Sequence, residues 1–349
     1  MKANVIHEFG RPEVLKYEDV PDPQPRDGEI RIRVHAATVN RVLDVSLRAG
    51  KEGFRQPVLP LIPGVDCAGI VDAVGPNVRR WKVGDRVAAA GVMPLEPCPE
   101  DCKGYSGPEG MMGIKRPGGF AELVCVPSCA AVEVPQGLDF RAAAVVMRHA
   151  PMAWNLLFNV AELKDGETVL VMGAGGNLGT TGIQLAKHVV GAKVIAAAGS
   201  DDRVRLATDL GADAGVNYNT HNIMDEVLKL TDGKGVDVLY DNVANSKILP
   251  LAFMALGMNG RLVTAGAHGG PNVMINFAHL YHKKITIMGR TGHEEEDIPK
   301  CFAAAAAGKL KAQIEKLLPL SQAREAHRLV ESGEVPGKIV LDPTLDKTR

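Results

Sequence analysis

The amino-acid sequence predicts a two-domain α/β protein, in which a barrel-like β module precedes a doubly wound parallel sheet. Roughly the first 135 residues consist of short strand-like stretches separated by glycine and proline. Beyond Ala142, strand-like and helical stretches alternate, and a glycine-rich loop at residues 173–179 joins one strand to one helix. At 349 residues the chain is too long for one compact domain and suits two.

The composition is that of a globular protein that binds small molecules. Lys and Arg number 40 against 41 Asp and Glu, and no basic segment stands out, so nucleic acid is not expected as a partner. No apolar run reaches the roughly 20 residues that span a membrane, and the N-terminus lacks a signal-peptide core. We therefore expect a cytoplasmic location and no membrane partner. The six cysteines are scattered, and no disulfide framework is expected with a core of this size.

The β module is predicted from alternating polar and apolar residues. Glu29–His35 alternates in this way, which is typical of a half-buried strand. Similar stretches are Cys67–Gly75, Asp85–Ala90 and Phe120–Val126. Many short strands with turn residues between them indicate a barrel.

The parallel sheet is predicted from the alternation after Pro135. An Ala-rich helix is expected over Ala142–Leu163. The strand candidates are Thr168–Met172, Val194–Ala198, Ala214–Tyr218, Val236–Tyr240, Arg261–Ala265 and Ile285–Met288, and helices such as Arg203–Leu210 and Asn222–Leu230 separate them. This order predicts a doubly wound sheet. Helices near Ile298–Ala306 and Ser321–Glu331 and a strand at Gly337–Leu341 follow.

The glycine loop indicates a dinucleotide site. It lies between the strand Thr168–Met172 and an amphipathic helix, the context that makes such a motif informative. Gly175 and Gly176 let backbone N–H groups approach a pyrophosphate, Gly179 lets the helix pack on the strand, and the helix N-terminus favours negative charge. The candidate residues are Gly173, Gly175, Gly176, Asn177, Leu178 and Gly179. The alternative is an ordinary tight strand–helix turn.

The end of the second strand favours NADPH over NADH. An acid that would bind the ribose 2′-hydroxyl is missing, because Ala198 is followed by Gly199 and Ser200, and the first acid comes later. Ser200 can donate a hydrogen bond to a 2′-phosphate, and Arg203 or Lys193 can neutralise it. Alternatively, Arg203 lies on a solvated helix face.

Two later strands are expected to end beside the same cofactor. Asn242 follows the fourth strand, and Gly266 and Ala267 follow the fifth, so backbone groups there are candidates to hold the nicotinamide ribose and amide. Arg290 is a candidate to reach a phosphate.

Several segments resemble the medium-chain dehydrogenase/reductase superfamily, specifically its zinc-free quinone-oxidoreductase-like branch. They are Leu61–Val71, Val83–Val87, Gly118–Leu123 and Ala326–Gly333, and with the glycine loop they follow the family's order over nearly the whole chain. The resemblance implies a GroES-like β-barrel catalytic domain of residues 1–150 and 291–349 and a Rossmann domain of residues 151–290. It also implies that substrate binds between the domains, and that Pro271–Met288 pairs two copies as a homodimer.

The positions of the zinc ligands differ from those of the zinc alcohol dehydrogenases. Asn40, Val65 and Arg148 stand where the resemblance places the ligands of a catalytic zinc, and none is a thiolate or imidazole. No catalytic zinc is expected. Of the four cysteines of a structural zinc loop only Cys98 and Cys102 remain, which indicates a degenerate loop, although a half-site completed by a nearby acid is an alternative.

Zinc-free members are typically NADPH-dependent reductases of quinones or of C=C bonds conjugated to a carbonyl, and the resemblance implies that activity here. Asn40 is expected to donate to the substrate oxygen, unless it merely caps its own loop. Arg148 is expected to polarise a carbonyl or to form a structural ion pair with Asp66. Two alternatives remain: a zinc-dependent alcohol dehydrogenase with rearranged ligands, and a non-catalytic protein that binds or senses NADPH.

Overall fold

The computed structural model describes residues 1–51, 57–90, 111–333, 335 and 337–348. It divides into two compact units. The first consists of Met1–Arg148 and Ala312–Arg349, and the second of His149–Lys311. Within the described residues, no helix combines the length and the apolar character needed to cross a membrane.

The first unit begins with the strands of the expected β module. They are β1 (Lys2–Ile6), β2 (Leu15–Asp19), β3 (Glu29–Thr38), β4 (Asp66–Val74), β5 (Arg86–Ala90), β6 (Leu123–Pro127) and β7 (Ala131–Glu133). After β3 comes a π turn (Arg41–Val45), which runs into the short helix α1 (Ser46–Arg48). Helix α2 (Phe140–Trp154) and a π segment (Asn155–Val160) replace the single helix expected at residues 142–163.

The second unit is a parallel sheet with helices between its strands. Its elements are β8 (Thr168–Met172), α3 (Asn177–Gln184), β9 (Lys193–Ala198), α4 (Asp201–Asp209), β10 (Ala214–Asn217), α5 (Ile223–Leu230), β11 (Val236–Asp241), α6 (Leu249–Met254), β12 (Leu256–Thr264), α7 (Phe277–His282), β13 (Thr286–Gly289) and α8 (Asp297–Ala306). The strand order is β10-β9-β8-β11-β12-β13, and every pair is parallel. This is the doubly wound Rossmann order, in which the chain adds strands on one side up to β10 and on the other side from β11 onward.

The chain then returns to the first unit through β14 (Ile314–Pro319), α9 (Ala323–Ser332) and β15 (Lys338–Asp342). The sheet of that unit runs β14-β15-β3-β4-β5-β7, with β6 on β3. A largely antiparallel β module and a parallel sheet with helices between its strands confirm the predicted α/β fold class.

The return occurs at Ala312 rather than at residue 291, where the domain boundary was expected. Side chains of the second unit hold the intervening segment. Asn155 donates to the Gly292 carbonyl at 3.1 Å, Asn159 donates to Asp297, and Gln184 bonds Lys311. These bonds place residues 291–311 with the second unit.

Each unit has its own apolar core, one around Ile32, Phe120 and Ile339, the other around Leu170, Leu239 and Phe253. Cys67, Cys125 and Cys301 are free, whereas Cys129 is disulfide-bonded. The disulfide bond of Cys129 was not predicted from the sequence. Cys98 and Cys102 lie outside the described residues.

Candidate nucleotide and catalytic sites

The glycine loop turns sharply from β8 into α3. Gly173 has φ +66°, and a Cβ built on Gly179 would lie 2.2 Å from the Gly173 carbonyl oxygen, so the helix packs directly on the turn. Gly176 precedes α3 as its N-cap and supplies no side-chain hydrogen bond. The first backbone N–H groups of a helix have no partner within it, so Asn177 and Leu178 present donors at this end.

Arg203 and Ser200 lie at the end of β9 that adjoins this loop. A Cβ on Gly175 would lie 2.7 Å from Arg203 Cγ, so the stem of Arg203 passes over the loop. Ser200 is the N-cap of α4, and its hydroxyl makes no capping bond.

The acids beside Ser200 have partners of their own. Asp201 accepts from Asn217 at 2.7 Å, and Asp202 pairs with Arg205. Arg203 forms no hydrogen bond or ion pair with any described residue, so its guanidinium is available.

Lys193, the other cation suggested for the 2′-phosphate, is wrongly placed. It is the first residue of β9, and Ser200 follows the last. A six-residue strand is about 17 Å long at ~3.3 Å per residue, so the two residues lie at opposite ends of β9.

Asn242 follows β11, on the other side of the point where the strand order reverses. Its Nδ2 donates to the Met172 carbonyl at 3.0 Å, while its Oδ1 is buried without a partner. Gly266 lies against it, because a Cβ there would be 2.3 Å from the Asn242 carbonyl oxygen. Ala267 is exposed in the same loop. A buried acceptor without a donor, at the strand ends where dinucleotides bind, suits a hydroxyl or amide of a ligand.

Arg290, expected to reach a phosphate, is paired instead with Glu294 at 2.6 Å. The pair is half exposed, one helical turn apart in sequence, and such pairs are weak. A phosphate would have to compete with Glu294 for this guanidinium.

In the first unit, a buried polar cluster is centred on Asn40. Asp44 Oδ2 accepts from the Asn40 backbone N–H at 2.7 Å and from its side chain at 3.0 Å, and Asp44 Oδ1 accepts from the N–H groups of Gly64 and Val65. Asn40 Nδ2 also lies 2.9 Å from Asp66 Oδ2. The two hydrogens of this amide are therefore engaged within the cluster, and the donation to substrate expected of Asn40 conflicts with this geometry.

Lys338 supplies the cation of this cluster. Its ammonium, 3% exposed, donates to Asn40 Oδ1 at 2.6 Å. Burial lowers the pKa of Lys338 to about 8, against the opposing pull of Asp66. Burial and the neighbouring charge of Asp66 together raise the pKa of Asp44 to about 7, although the hydrogen bonds from Asn40 oppose that shift.

The direct ion pair expected between Arg148 and Asp66 is absent from the described residues. Asp66 is already satisfied by the Thr38 backbone and hydroxyl, each at 2.7 Å, and by Asn40. Arg148, in α2, interacts with Asp66 and Asp44 only through space; burial lowers its pKa while the two carboxylates oppose that shift. Its guanidinium carries no hydrogen bond to any described group.

A catalytic zinc does not suit this cluster. Val65 packs with Leu43, Leu47 and Ile114, and an ammonium already contacts Asn40. No group of three or more His, Cys, Asp or Glu within the described residues is arranged to hold a metal. Zinc requires thiolate, imidazole or carboxylate ligands converging on one point.

Lys338 was missed as a site residue because no local pattern marks it. It lies 298 residues from Asn40 in sequence, and only the pairing of β15 with β3 brings the two together. Asp44 had a weak signal, since it lies four residues after Asn40 in a turn.

Comparison with known proteins identifies the family. The model described as alcohol dehydrogenase GroES-like domain matches residues 26–136, and that described as zinc-binding dehydrogenase matches residues 177–307. The quinone oxidoreductase of Homo sapiens is 32% identical over 98% of this chain and 97% of its own length. The chain belongs to the medium-chain dehydrogenase/reductase superfamily. It is accordingly an oxidoreductase.

Other superfamily members are similarly related. An NAD-dependent alcohol dehydrogenase of Sulfolobus acidocaldarius is 31% identical to this chain, and the match covers 99% of this chain and 100% of that protein. The crystal structure of AibC superposes with a TM-score of 0.89 at 31% identity, covering 98% of this chain and 95% of that one. The Escherichia coli quinone oxidoreductase complexed with NADPH gives 0.78 at 25% identity, covering 98% and 100%.

Proposed function

We propose that this oxidoreductase is an NADPH-dependent reductase of quinones or α,β-unsaturated carbonyl compounds that works without a catalytic zinc. The observation that carries the proposal is the Lys338 ammonium buried against Asn40, in a cluster that offers no thiolate or imidazole. A buried cation there disfavours a divalent metal through like-charge repulsion. The similarity to quinone oxidoreductases supports the substrate class.

The proposed cofactor site is the edge of the Rossmann sheet where the strand order reverses. Gly173, Gly175, Gly176 and Gly179 leave room for the pyrophosphate, and the N–H groups of Asn177 and Leu178 face it. Asn242 Oδ1 would accept from the nicotinamide half, with Gly266 and Ala267 closing that side. Arg290 would contribute only after leaving Glu294.

The preference for NADPH rests on Gly199, Ser200 and Arg203. Gly199 leaves space, the Ser200 hydroxyl is free to donate, and the Arg203 guanidinium has no competing partner among the described residues. Two observations oppose it: acids occupy the first turn of α4, and one relative is named NAD-dependent. The NADPH complex of the Escherichia coli relative favours it.

When bound, NADPH supplies a hydride, and a proton from water completes the reduction of the quinone or conjugated C=C bond. Arg148 provides the positive charge for the substrate oxygen that becomes negative, because no described residue engages the donors of its guanidinium. Asp66 and Asn40 do not touch the substrate in this proposal. They hydrogen-bond each other and so fix the position of the Asp66 carboxylate, whose negative charge acts on Arg148.

The test compares Arg203→Gln with Arg205→Gln, a matched change on the same helix. Arg205 pairs with Asp202 on the exposed surface. We expect R203Q to raise the KM for NADPH at least about tenfold, the equivalent of ~1.4 kcal/mol, and to leave the KM for NADH unchanged, whereas R205Q alters neither. Equal KM values for NADPH and NADH in the wild type would contradict the cofactor assignment.

The same assays separate the alternatives. If the fluorescence of NADPH shows that it binds, but the protein oxidises it with none of the quinones or enones tested, the result indicates a sensing protein. Zinc retained at one per chain, with activity lost on chelation and restored by zinc, indicates the rearranged alcohol dehydrogenase.

We also propose a homodimer formed through residues 271–288. β13 is the edge strand of the Rossmann sheet, with Ile287 42% exposed, and Met274, Phe277 and Tyr281 nearby are 85%, 70% and 66% exposed. An unpaired edge flanked by large apolar side chains favours self-association about a two-fold axis. Light scattering should give twice the chain mass of 37.1 kDa, and Ile287→Lys should give the monomer.

A further inference from the structure

A pocket of about 400 Å³ lies on the first unit, between the β4–β5 connection and the end of β7. This volume falls within the range of small-molecule sites. Arg79, Arg80, Lys82 and Arg86 line it together with the carboxylates of Asp85 and Glu133. All these residues belong to the first unit, whereas the proposed cofactor residues belong to the second.

The pocket concentrates positive charge in a chain whose net charge is -1. Its four cationic side chains outnumber its two carboxylates. Arg79, Arg80 and Lys82 are exposed, and across the described ranges none of their side chains forms a hydrogen bond or ion pair. Unneutralised cations so close together repel one another unless an anion joins them.

Hydrogen bonds from backbone N–H groups hold the connection that carries these cations. The Lys82 N–H donates to Asp85 Oδ2 at 2.9 Å, and the Gly84 N–H donates to the Val71 carbonyl at 2.9 Å. Trp81 anchors the turn, because its ring is 8% exposed and its Nε1 donates to the Ser128 carbonyl at 2.8 Å. The Arg80 guanidinium lies 5.1 Å from the centre of that ring. The ring therefore holds the Arg80 guanidinium at the pocket before any ligand arrives.

Arg86 is the fourth cation of the pocket lining and is only partly exposed. Its guanidinium lies 4.1 Å from the centre of the Phe140 ring and donates through Nη2 to the Leu138 carbonyl. These two contacts fix the position of its positive charge beside the three exposed cations.

We propose that this pocket binds a small molecule carrying two or more adjacent phosphate groups. Arginine forks match phosphate oxygens in bidentate fashion, and several can share one oligophosphate. The four cations and two carboxylates of the lining leave an excess of two positive charges, which a ligand with two or more negative charges balances better than a singly charged acid does. The Trp81 ring is too buried to stack on a base, and recognition therefore rests on the phosphates themselves.

The test is a calorimetric titration of the full-length protein with pyrophosphate at constant ionic strength, in saturating NADPH so that the proposed cofactor site is already filled. We expect saturable one-to-one binding, weakened at least tenfold in R79Q/R80Q/K82Q. The control R11Q/K16Q/R328Q removes three exposed positive charges elsewhere on the first unit and should bind as the wild type does. Both triple variants carry the same net charge, so a general electrostatic effect cancels.

Three outcomes would overturn the proposal: no saturable pyrophosphate binding to the wild type, equal weakening in both triple variants, or no weakening in the pocket variant. A parallel titration with ATP identifies the source of the phosphates. Affinity above that of pyrophosphate supports a nucleotide, and equal affinity supports an inorganic oligophosphate. NADPH binding, read by fluorescence, is expected to be the same in all three proteins, so failure of the cofactor assignment is a separate result.

Discussion

Replacing Lys338 by Met tests whether its ammonium stabilises the buried cluster around Asn40. Methionine keeps the length of the side chain but removes the charge and the 2.6 Å donation to Asn40 Oδ1. Asp44 and Asp66, which are 1% and 0% exposed, would then lose one of the two cations that act on them, and Arg148 would remain. Removing one partner of a buried charged set typically costs about 3–5 kcal/mol, because the other charge stays desolvated. We expect a loss of this size in the free energy of unfolding.

Chemical denaturation at pH 7 measures this loss, and a double-mutant cycle assigns it. Asp44→Asn removes one of the carboxylates that Lys338 faces, so K338M should cost at least ~1 kcal/mol less in that background than alone. Lys16→Met is the control, since Lys16 is exposed and its replacement should change stability by no more than ~0.5 kcal/mol. A K338M protein within ~1 kcal/mol of the wild type, or a cycle additive within ~0.5 kcal/mol, would refute the assigned role.

Two further predictions concern pH and the glycine loop. Because Asp44 has a folded pKa of about 7, above its unfolded value, its contribution to stability is present at low pH and is lost as pH rises through 7. The wild type should therefore lose stability relative to D44N between about pH 4 and pH 7, measured by denaturation midpoints; parallel curves would contradict this. Gly179→Ala should weaken NADPH binding more than tenfold, since the added Cβ would lie 2.2 Å from the Gly173 carbonyl oxygen and push α3 off the loop. Gly289→Ala, where the nearest atom is 4.0 Å away, is its control, and equal affinity in both variants would refute the packing argument.

Local patterns were sufficient for most of the fold. Strands β8 to β11 start and end within one residue of their expected limits, because each is bounded by a turn or helix signal in the sequence. The strand expected to begin at Arg261 begins five residues earlier, at Leu256. Leu256 pairs with Val236 across the sheet, and tertiary pairing of this kind is not visible in a single segment.

The candidate site was less accessible to local reasoning. The absence of an acid after Ala198 and the residues Asn40, Val65 and Arg148 could be read directly from sequence and resemblance. The partners of those residues could not. Asn40 was expected to face the substrate, but its amide is engaged by groups from the π turn, β4 and β15.

The sequence by itself determined the parts of the protein whose physics is local. A strand, a glycine turn and an amphipathic helix in succession build the part of the sheet where we propose that the cofactor binds, because hydrophobic period and glycine geometry act over a few residues. The tertiary structure decided where charge is balanced. It brought Lys338 to Asn40 and placed Lys193 at the end of β9 opposite Ser200. It also left Arg148 without a hydrogen-bond partner among the residues that the structure describes. The physical reason is that burial and pairing of charges depend on strands distant in sequence, and no local pattern encodes them.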